Sequence, residues 1–230
     1  MFTALIDLVW GIGWEALVIL SKATPPLVTV AVVFAIIALV VKRRLALHHA
    51  KRAVGEVRIN LLLHFFDLLV VAPPLAFLLA AMGRFFDQYD LRLIGEAQWA
   101  AMPFVAVAFF AVFVGDLVGY WRHRFEHTRF MWPSHAVHHS DTEMTWTALF
   151  RFHPINRLST AMLDNSVLFA LGFPIEAMLV NVAVRHYYGF FIHADLPWTF
   201  GPLKYLIVSP AMHRWHHARV CRGATDQGRT

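Results

Sequence analysis

Histidine is the residue type best able to do chemistry in this 230-residue chain, which carries 14 histidines and one cysteine. Eight of the histidines fall into three clusters whose members lie three or four residues apart: His123 and His127; His135, His138 and His139; His213, His216 and His217. A helix brings positions with this spacing onto one face, about 5–6 Å apart at Cβ, so two imidazoles can share one ion. Neutral imidazole is the commonest metal ligand in proteins. The clusters therefore predict a metal site with nitrogen ligands.

The number of clustered imidazoles indicates how many ions they hold. Eight nitrogens exceed the four of a closed zinc site and the three of a catalytic zinc site, so the sequence predicts two ions. By ligand softness, imidazole accepts zinc, copper, iron or nickel, and the spacing leaves the metal open. The single cysteine, Cys221, offers neither a disulfide framework nor a thiolate cage for an iron–sulfur cluster.

The elements that must position these side chains are apolar. The chain is 58% hydrophobic and 15% charged, with a mean hydropathy of +0.54, which predicts an all-α integral membrane helical bundle. Four apolar segments approach or exceed the roughly 20 residues of one crossing; they cover residues 25–41, 59–82, 100–119 and 158–192. The last is broken by Gly172-Phe173-Pro174, which predicts a helical hairpin. Residues 1–20 read as a retained membrane-associated segment.

The domain organisation predicted is a single membrane domain, with N-terminal transmembrane helices over residues 1–99 and a catalytic region over 100–230. Basic residues accumulate in the first connection between apolar segments, namely Lys42, Arg43, Arg44, Lys51, Arg52 and Arg58. The second connection has Arg84 and Arg92 only, so the first is predicted to be cytoplasmic. Counting crossings onward puts every histidine cluster on the same cytoplasmic side.

Composition and motifs also exclude several function classes. The net charge of +5 and pI of about 9.7 come from basic residues beside apolar spans, which argues against nucleic acid as a partner. The run from Gly11 to Ala16 imitates a dinucleotide fingerprint, but no strand precedes it. With no flavin or nicotinamide site in the sequence, reducing equivalents are expected from a separate ferredoxin, cytochrome or reductase.

Flanking residues give the clusters a family resemblance. The runs Asp116-Leu-Val-Gly-Tyr-Trp-Arg-His123-Arg-Phe-Glu-His127, His135-Ala-Val-His138-His139 with Trp132 before it, Arg151-Phe-His153-Pro, and Ser209-Pro-Ala-Met-His213-Arg-Trp-His216-His217 resemble the fatty acid hydroxylase and sterol desaturase superfamily. The resemblance implies two iron ions, dioxygen as co-substrate, an external electron donor, and hydroxylation or desaturation of an acyl, sterol or related membrane lipid. Zinc could replace iron on purification. Family members usually continue with an Asn-x-Gly element, which residues 221–230 lack, so a shortened C-terminus is expected.

Some histidines outside the three clusters are weaker candidates. The resemblance implies that His193, which lies just upstream of the last box, is a ninth ligand. His186 lies seven residues earlier and can point down the same helix face, so it is a possible ligand. His153 and Asp116 are candidates for hydrogen-bonding a ligand imidazole. No catalytic residue is expected beyond the metal ligands.

Two other function classes compete with a lipid oxygenase. A membrane zinc hydrolase would use a metal-bound hydroxide and a carboxylate base, but the chain lacks His-Glu-x-x-His. A non-catalytic protein that binds haem or stores metal is the other alternative. Bis-histidine haem needs isolated ligands on facing helices, whereas these histidines are clustered.

Overall fold

The structure is a computed structural model that describes residues 2–218. Within that range the protein is all-helical, without a strand, as the sequence predicts. Its helices are α1 (Phe2–Lys42), α2 (Ala46–Phe66), α3 (Ala72–Gln88), α4 (Glu96–Ala100), α5 (Phe104–Glu126), α6 (Trp132–His135), α7 (Pro154–Ser159), α8 (Asn165–Ala170), α9 (Ile175–His193) and α10 (Pro210–His217). Cys221 and the C-terminal residues that differ from the usual family pattern, 221–230, lie outside the described residues.

The first two long helices form an antiparallel hairpin. A short 3-10 turn, Arg43–Leu45, reverses the chain, and Arg43 adopts a left-handed φ of 51° there. Leu27 and Val30 of α1 then pack in one cluster with Leu61 of α2. The hairpin therefore carries the basic residues of the first connection at its closed end.

The prolines in the second apolar segment do not end its helical path. A π-helical turn, Asp67–Val71, joins α2 to α3, and Pro73 and Pro74 follow in the first turn of α3. Proline has no N–H for the helical ladder, and the π-helical turn just before the two prolines is where the regular pattern changes, since the amide of Ala72 donates to the carbonyl of Asp67, five residues back. The helical path therefore runs on to Gln88.

The predicted break in the fourth apolar segment is a tight turn between α8 and α9. Gly172 has a φ of +69°, a left-handed conformation that favours glycine, and a Cβ there would collide with the carbonyl oxygen of Ile94. Phe173 follows and stacks on Trp99 with ring centroids 4.5 Å apart. Trp99 Nε1 also donates to the carbonyl of Leu171 at 3.1 Å. These contacts anchor the turn against α4.

Helices α5 and α9 pack closely because two glycines of α5 face two polar side chains of α9. A Cβ at Gly115 would collide with the amide of Asn181, and one at Gly119 would collide with the guanidinium of Arg185. Small residues let helix backbones approach closely. This contact brings the C-terminal ends of both helices to one end of the molecule.

Two helical stretches in the described residues are long and apolar enough to cross a membrane, Gly13–Gln88 and Phe104–Glu126. In their most apolar windows, 6% and 22% of the residues are buried, so these side chains do not form a soluble core. The first stretch contains the first two apolar segments of the sequence, and the second contains the third from Phe104 onward. The fourth is divided among α7, α8 and α9, and it does not meet the same criterion.

Candidate metal centre

The structure brings all nine predicted ligands together at one end of the bundle. They come from the last turn of α5, from α6 and the 3-10 turn after it, from the end of α9, and from α10. In α10, the Ser209 side chain accepts a hydrogen bond from the amide of Met212 at 3.2 Å, and Pro210 occupies the first turn. This N-cap starts a helix that presents three histidines.

A first histidine group gathers ligands from α5, the turn after α6, and α10. The candidate ligand nitrogens of His123, His127, His139 and His216 all lie within 4.8 Å of one another. Nε2 of His216 lies 2.7 Å from Nε2 of His123 and 3.1 Å from Nε2 of His127. His135 joins this group because its Nε2 lies 3.1 Å from Nε2 of His139.

A second histidine group is buried throughout. It consists of His138, His193, His213 and His217. Nε2 of His193 lies 3.2 Å from Nε2 of His138 and 3.0 Å from Nε2 of His213, and Nε2 of His217 lies 3.2 Å from that of His213. The groups touch where the rings of His139 and His217 stack, with centroids 4.2 Å apart. Two neighbouring sets of converging nitrogens result.

The spacing and protonation of these imidazoles fit metal ligands. Two ligands bonded at right angles to one ion at about 2.0–2.1 Å lie about 2.9 Å apart. The Nε2 separations quoted above bracket that value. Burial, together with the charge repulsion from neighbouring imidazoles, lowers the pKa of His135 and that of His139 to about 3. Both rings are therefore neutral at pH 7 and have a lone pair to offer.

One carboxylate orients the first group. Glu126 is fully buried, and its Oε2 lies 3.4 Å from Nδ1 of His135 and 3.9 Å from Nδ1 of His123. Arg122 donates to the same oxygen at 2.9 Å, and the Ser159 hydroxyl donates to Oε1 at 2.6 Å. A carboxylate on the outer nitrogen of a ligand imidazole fixes its orientation and raises its basicity. Glu126 is therefore placed to orient the imidazoles of this group.

Backbone carbonyls orient the second group. Nδ1 of His138 lies 3.2 Å from the carbonyl oxygen of Arg151, and Nδ1 of His193 lies 2.6 Å from that of Gly189. If each Nδ1 carries the proton, it donates to the carbonyl, and Nε2 keeps its lone pair toward the other histidines.

Arg151 ties this end of the bundle to α2. It is buried, and it donates to Oδ1 of Asn60 at 2.7 Å, to Oγ of Ser140 at 3.1 Å, and to the Glu56 carboxylate. Hydrogen bonds from Thr142 and Arg151 outweigh burial and lower the pKa of Glu56, so it stays ionised. Asn60 donates onward to Thr147 at 3.1 Å.

A comparison with protein families matches residues 108–224 to the family described as fatty acid hydroxylase. The match covers half of the chain and includes all nine clustered histidines. The chain belongs to the fatty acid hydroxylase family. This confirms the resemblance drawn from the histidine boxes and their flanking residues.

Curated relatives of this family member are lipid oxygenases. Ornithine lipid hydroxylase OlsE of Rhizobium tropici is 31% identical over 57% of this chain and 39% of its own length. Alkylglycerol monooxygenase of Danio rerio is 31% identical over 54% of this chain and 27% of its own, and the human protein is 31% identical over 48% and 25%. The chain thus spans less than half the length of these relatives. No solved structure gives a significant match.

In this fatty acid hydroxylase family member, the three weaker candidates for binding metal or supporting a ligand lie apart from the histidine groups. Asp116 is exposed on α5, and Glu126 is the carboxylate beside the ligands instead. His153 is the N-cap of α7, where its Nδ1 accepts from the amide of Ile155 at 3.2 Å. His186 packs against Phe190 with ring centroids 4.5 Å apart. The structure does not bring these three side chains to the nitrogen clusters.

Sequence reasoning gave too little weight to the buried polar residues that support the histidines. From the sequence, Glu126 is a candidate for accepting a proton from a ligand imidazole, although a charged residue at an interface is usually solvated; no role was predicted for Asn60, and Arg151 was identified only as part of the family resemblance. One signal was available for Glu126, since it lies four residues after Arg122 and can pair with it along the helix. For Asn60, the signal was a lone amide inside an apolar segment, where a polar side chain needs a partner.

Proposed function

We propose that this protein is an integral membrane di-iron oxygenase that uses dioxygen to hydroxylate or desaturate a lipid-like substrate. Membership of the fatty acid hydroxylase family supports lipid oxidation. The observation that carries the proposal is the convergence of nine imidazoles into two touching groups with Nε2 atoms about 3 Å apart. Two ions explain this arrangement, because one ion does not accept nine nitrogen ligands.

Each histidine group would hold one iron ion. His123, His127, His135, His139 and His216 would surround the first; His138, His193, His213 and His217 would surround the second. When bound, the iron pair would supply the activation of dioxygen and the oxidation of an unactivated C–H bond.

The chain's own residues would orient the imidazole ligands and shield the metal site from water. The Glu126 carboxylate lies beside the outer nitrogen of His135, which also contacts the Asn156 amide, and the Gly189 carbonyl holds the outer nitrogen of His193. Burial of the second group keeps water away from it. Fixed geometry and exclusion of water are what a protein adds to cofactor chemistry of this kind.

The proposed location is the cytoplasmic side of a membrane. The closed end of the α1–α2 hairpin lies at the same end as the histidines, because Lys42 pairs with Asp195 and Arg52 pairs with Glu143. That connection is rich in lysine and arginine, which favours the cytoplasmic side. A lipid could then reach the centre laterally from the bilayer.

The proposed electron donor is a separate ferredoxin, cytochrome or reductase. Exposed basic side chains near the first histidine group include Arg124 and Arg129. Positive residues at this end would favour an acidic donor by electrostatic steering. The partners proposed for this protein are therefore a lipid substrate and an electron donor, and no nucleic acid is proposed.

The decisive experiment measures metal and oxygen together. The protein is purified in detergent, loaded anaerobically with ferrous iron and passed through a desalting column, and metal is quantified by mass spectrometry. We expect close to two iron ions per chain. Oxygen consumption with a lipid extract should then require a reducing donor, and the lipid product should contain a new hydroxyl group or double bond.

Three results would contradict the proposal. Well-folded protein that retains no metal would remove its basis. Protein that binds zinc alone and releases a hydrolysis product without oxygen would favour the hydrolase instead. A Soret absorption band would point to the haem-binding alternative.

A further inference from the structure

A cavity of about 160 Å³ lies between α1, α2 and α9. Its walls are mainly apolar and include Pro26 and Val30 of α1, Phe150, and Phe190 of α9. Phe150 and Phe190 also pack on each other with ring centroids 5.3 Å apart. The cavity is thus lined like a site for a hydrocarbon chain.

Two histidines interrupt this apolar lining. His64 of α2 is half-buried and stacks on Phe150 with centroids 4.0 Å apart, while His186 of α9 is exposed and packs on Phe190. No hydrogen bond from the described residues reaches either imidazole. A polar group at membrane depth is costly without a partner, so two such groups on one cavity point to a polar ligand.

The carboxylate that could have satisfied His64 is engaged elsewhere. Asp67 lies three residues after His64, in the π-helical turn, and its Oδ1 accepts from Nε of Arg157 at 2.7 Å. The ion pair holds α7 against this turn. Since π-turns within helices are frequent at functional sites, the placement of His64 beside one is a second reason to assign it a ligand.

The cavity adjoins the second histidine group. His186 precedes His193 by seven residues on α9, a rise of about 10 Å along the helix. Phe190, which lines the cavity, lies between them. On the other wall, Phe152 stacks on His138 with centroids 4.5 Å apart, two residues after Phe150. A chain lying in the cavity therefore approaches the metal centre from its membrane side.

We propose that this cavity binds the oxygen-bearing start of an alkyl chain of the lipid substrate, with His64 and His186 hydrogen-bonding that oxygen. The proposal rests on the proposed function, since it identifies the lipid as the substrate. A neutral imidazole carries one N–H donor, which suits an ether, ester or amide oxygen. His64 lies outside residues 108–224, the part of the chain matched by the family, so it can set a preference that the histidine boxes do not.

The test uses photolabelling of the full-length, iron-loaded protein in lipid nanodiscs. Two probes carry a diazirine at the same chain carbon: a long-chain alkyl acetate and the corresponding alkane. Labelled peptides are mapped by mass spectrometry. The acetate is expected to label the cavity lining about fivefold more than the alkane for each imidazole that bonds it, the effect of one hydrogen bond.

Two variants keep the ring volume and remove the nitrogens, His64→Phe and His186→Phe. In each, the preference for the acetate should fall about fivefold, while labelling by the alkane stays the same. His48→Phe is the matched control, because His48 is exposed in the first connection and should keep the preference. Iron content is measured in every sample to confirm that the centre is intact.

The outcomes separate this inference from the proposed function. Equal labelling by the two probes, or an unchanged preference in both variants, overturns the cavity assignment even when iron and oxygenase activity are present. If the probes label the cavity lining but the protein holds no metal, the proposed function is overturned. The assignment of this lipid as a substrate is then overturned with it.

Discussion

Oε2 of Glu126 lies 3.4 Å from Nδ1 of His135, and both side chains are completely buried. A carboxylate in this position controls a metal ligand without touching the metal. Because partners of this kind contribute to affinity, Glu126→Gln is expected to weaken metal binding about 10- to 100-fold. Competition with a chelator of known affinity measures the change.

The control for Glu126 is Glu176→Gln, since Glu176 is exposed at the start of α9, far along the chain from the histidines. It should leave metal affinity unchanged. Circular dichroism should show the same helix content in both variants. Wild-type affinity in Glu126→Gln would mean that the carboxylate has no part in positioning His135.

The two histidines on α9 are expected to differ in their effect on metal content. His193→Gln removes a nitrogen from the second histidine group, so the protein should lose one of its two ions on desalting. His186→Gln should keep both, because its side chain lies in the neighbouring cavity. The number of metal ions per chain, measured for each variant after desalting, tests this difference. Equal metal loss in both would place His186 among the ligands.

The metal-free protein should lose stability in mild acid. Burial lowers the pKa of His135 and that of His139 to about 3, whereas an unfolded histidine titrates near 6.5. Between about pH 6.5 and 3, the unfolded chain binds more protons than the folded one. The free energy of unfolding therefore decreases as the pH is lowered through this range. Above about pH 7 both states are neutral at these groups, and their contribution is constant.

Denaturant unfolding of metal-free protein in detergent at a series of pH values measures this effect. The midpoint should be level above pH 7 and should move to lower denaturant concentration below pH 6.5. The double variant His135→Gln, His139→Gln should show a shallower dependence. An identical slope in wild type and variant would show that these two imidazoles are not the groups responsible.

Arg151→Met is expected to destabilise the fold by about 3 kcal/mol, because it leaves the Glu56 carboxylate and Asn60 without their shared partner. Arg58→Met is the control, since Arg58 is exposed on α2 and its loss should change stability by at most about 0.5 kcal/mol. Thermal unfolding followed by circular dichroism compares them. Equal melting temperatures would exclude Arg151 as the tie between α2 and the histidine end.

Alanine substitutions at Gly172 and Gly201 separate the cost of a steric collision from the cost of backbone strain. Both have a left-handed φ, +69° and +53°, but only at Gly172 would a Cβ collide with a backbone oxygen. Gly201→Ala should therefore cost about 1 kcal/mol of strain. Gly172→Ala should cost a further 1–3 kcal/mol, approximately, from overpacking. Similar unfolding free energies for the two variants would contradict the turn geometry.

The sequence by itself determined the helical class, the helix break at Gly172, the three histidine clusters and the family. These properties depend on local spacing: positions three and four residues apart share a helix face wherever the helix lies. Flanking residues such as Trp132 and Ser209 added enough information to recognise the family. Nothing in that spacing shows which cluster meets which.

Only the tertiary structure decided how the nine imidazoles divide into two groups. His138 and His139 are adjacent in sequence, yet they belong to different groups because the 3-10 turn points successive side chains in different directions. The structure also selected Glu126 over Asp116 as the orienting carboxylate, and it paired Arg151 with Glu56, 95 residues away. Such choices depend on how helices pack, and hydrogen-bond partners distant in sequence leave no periodic signal in one chain.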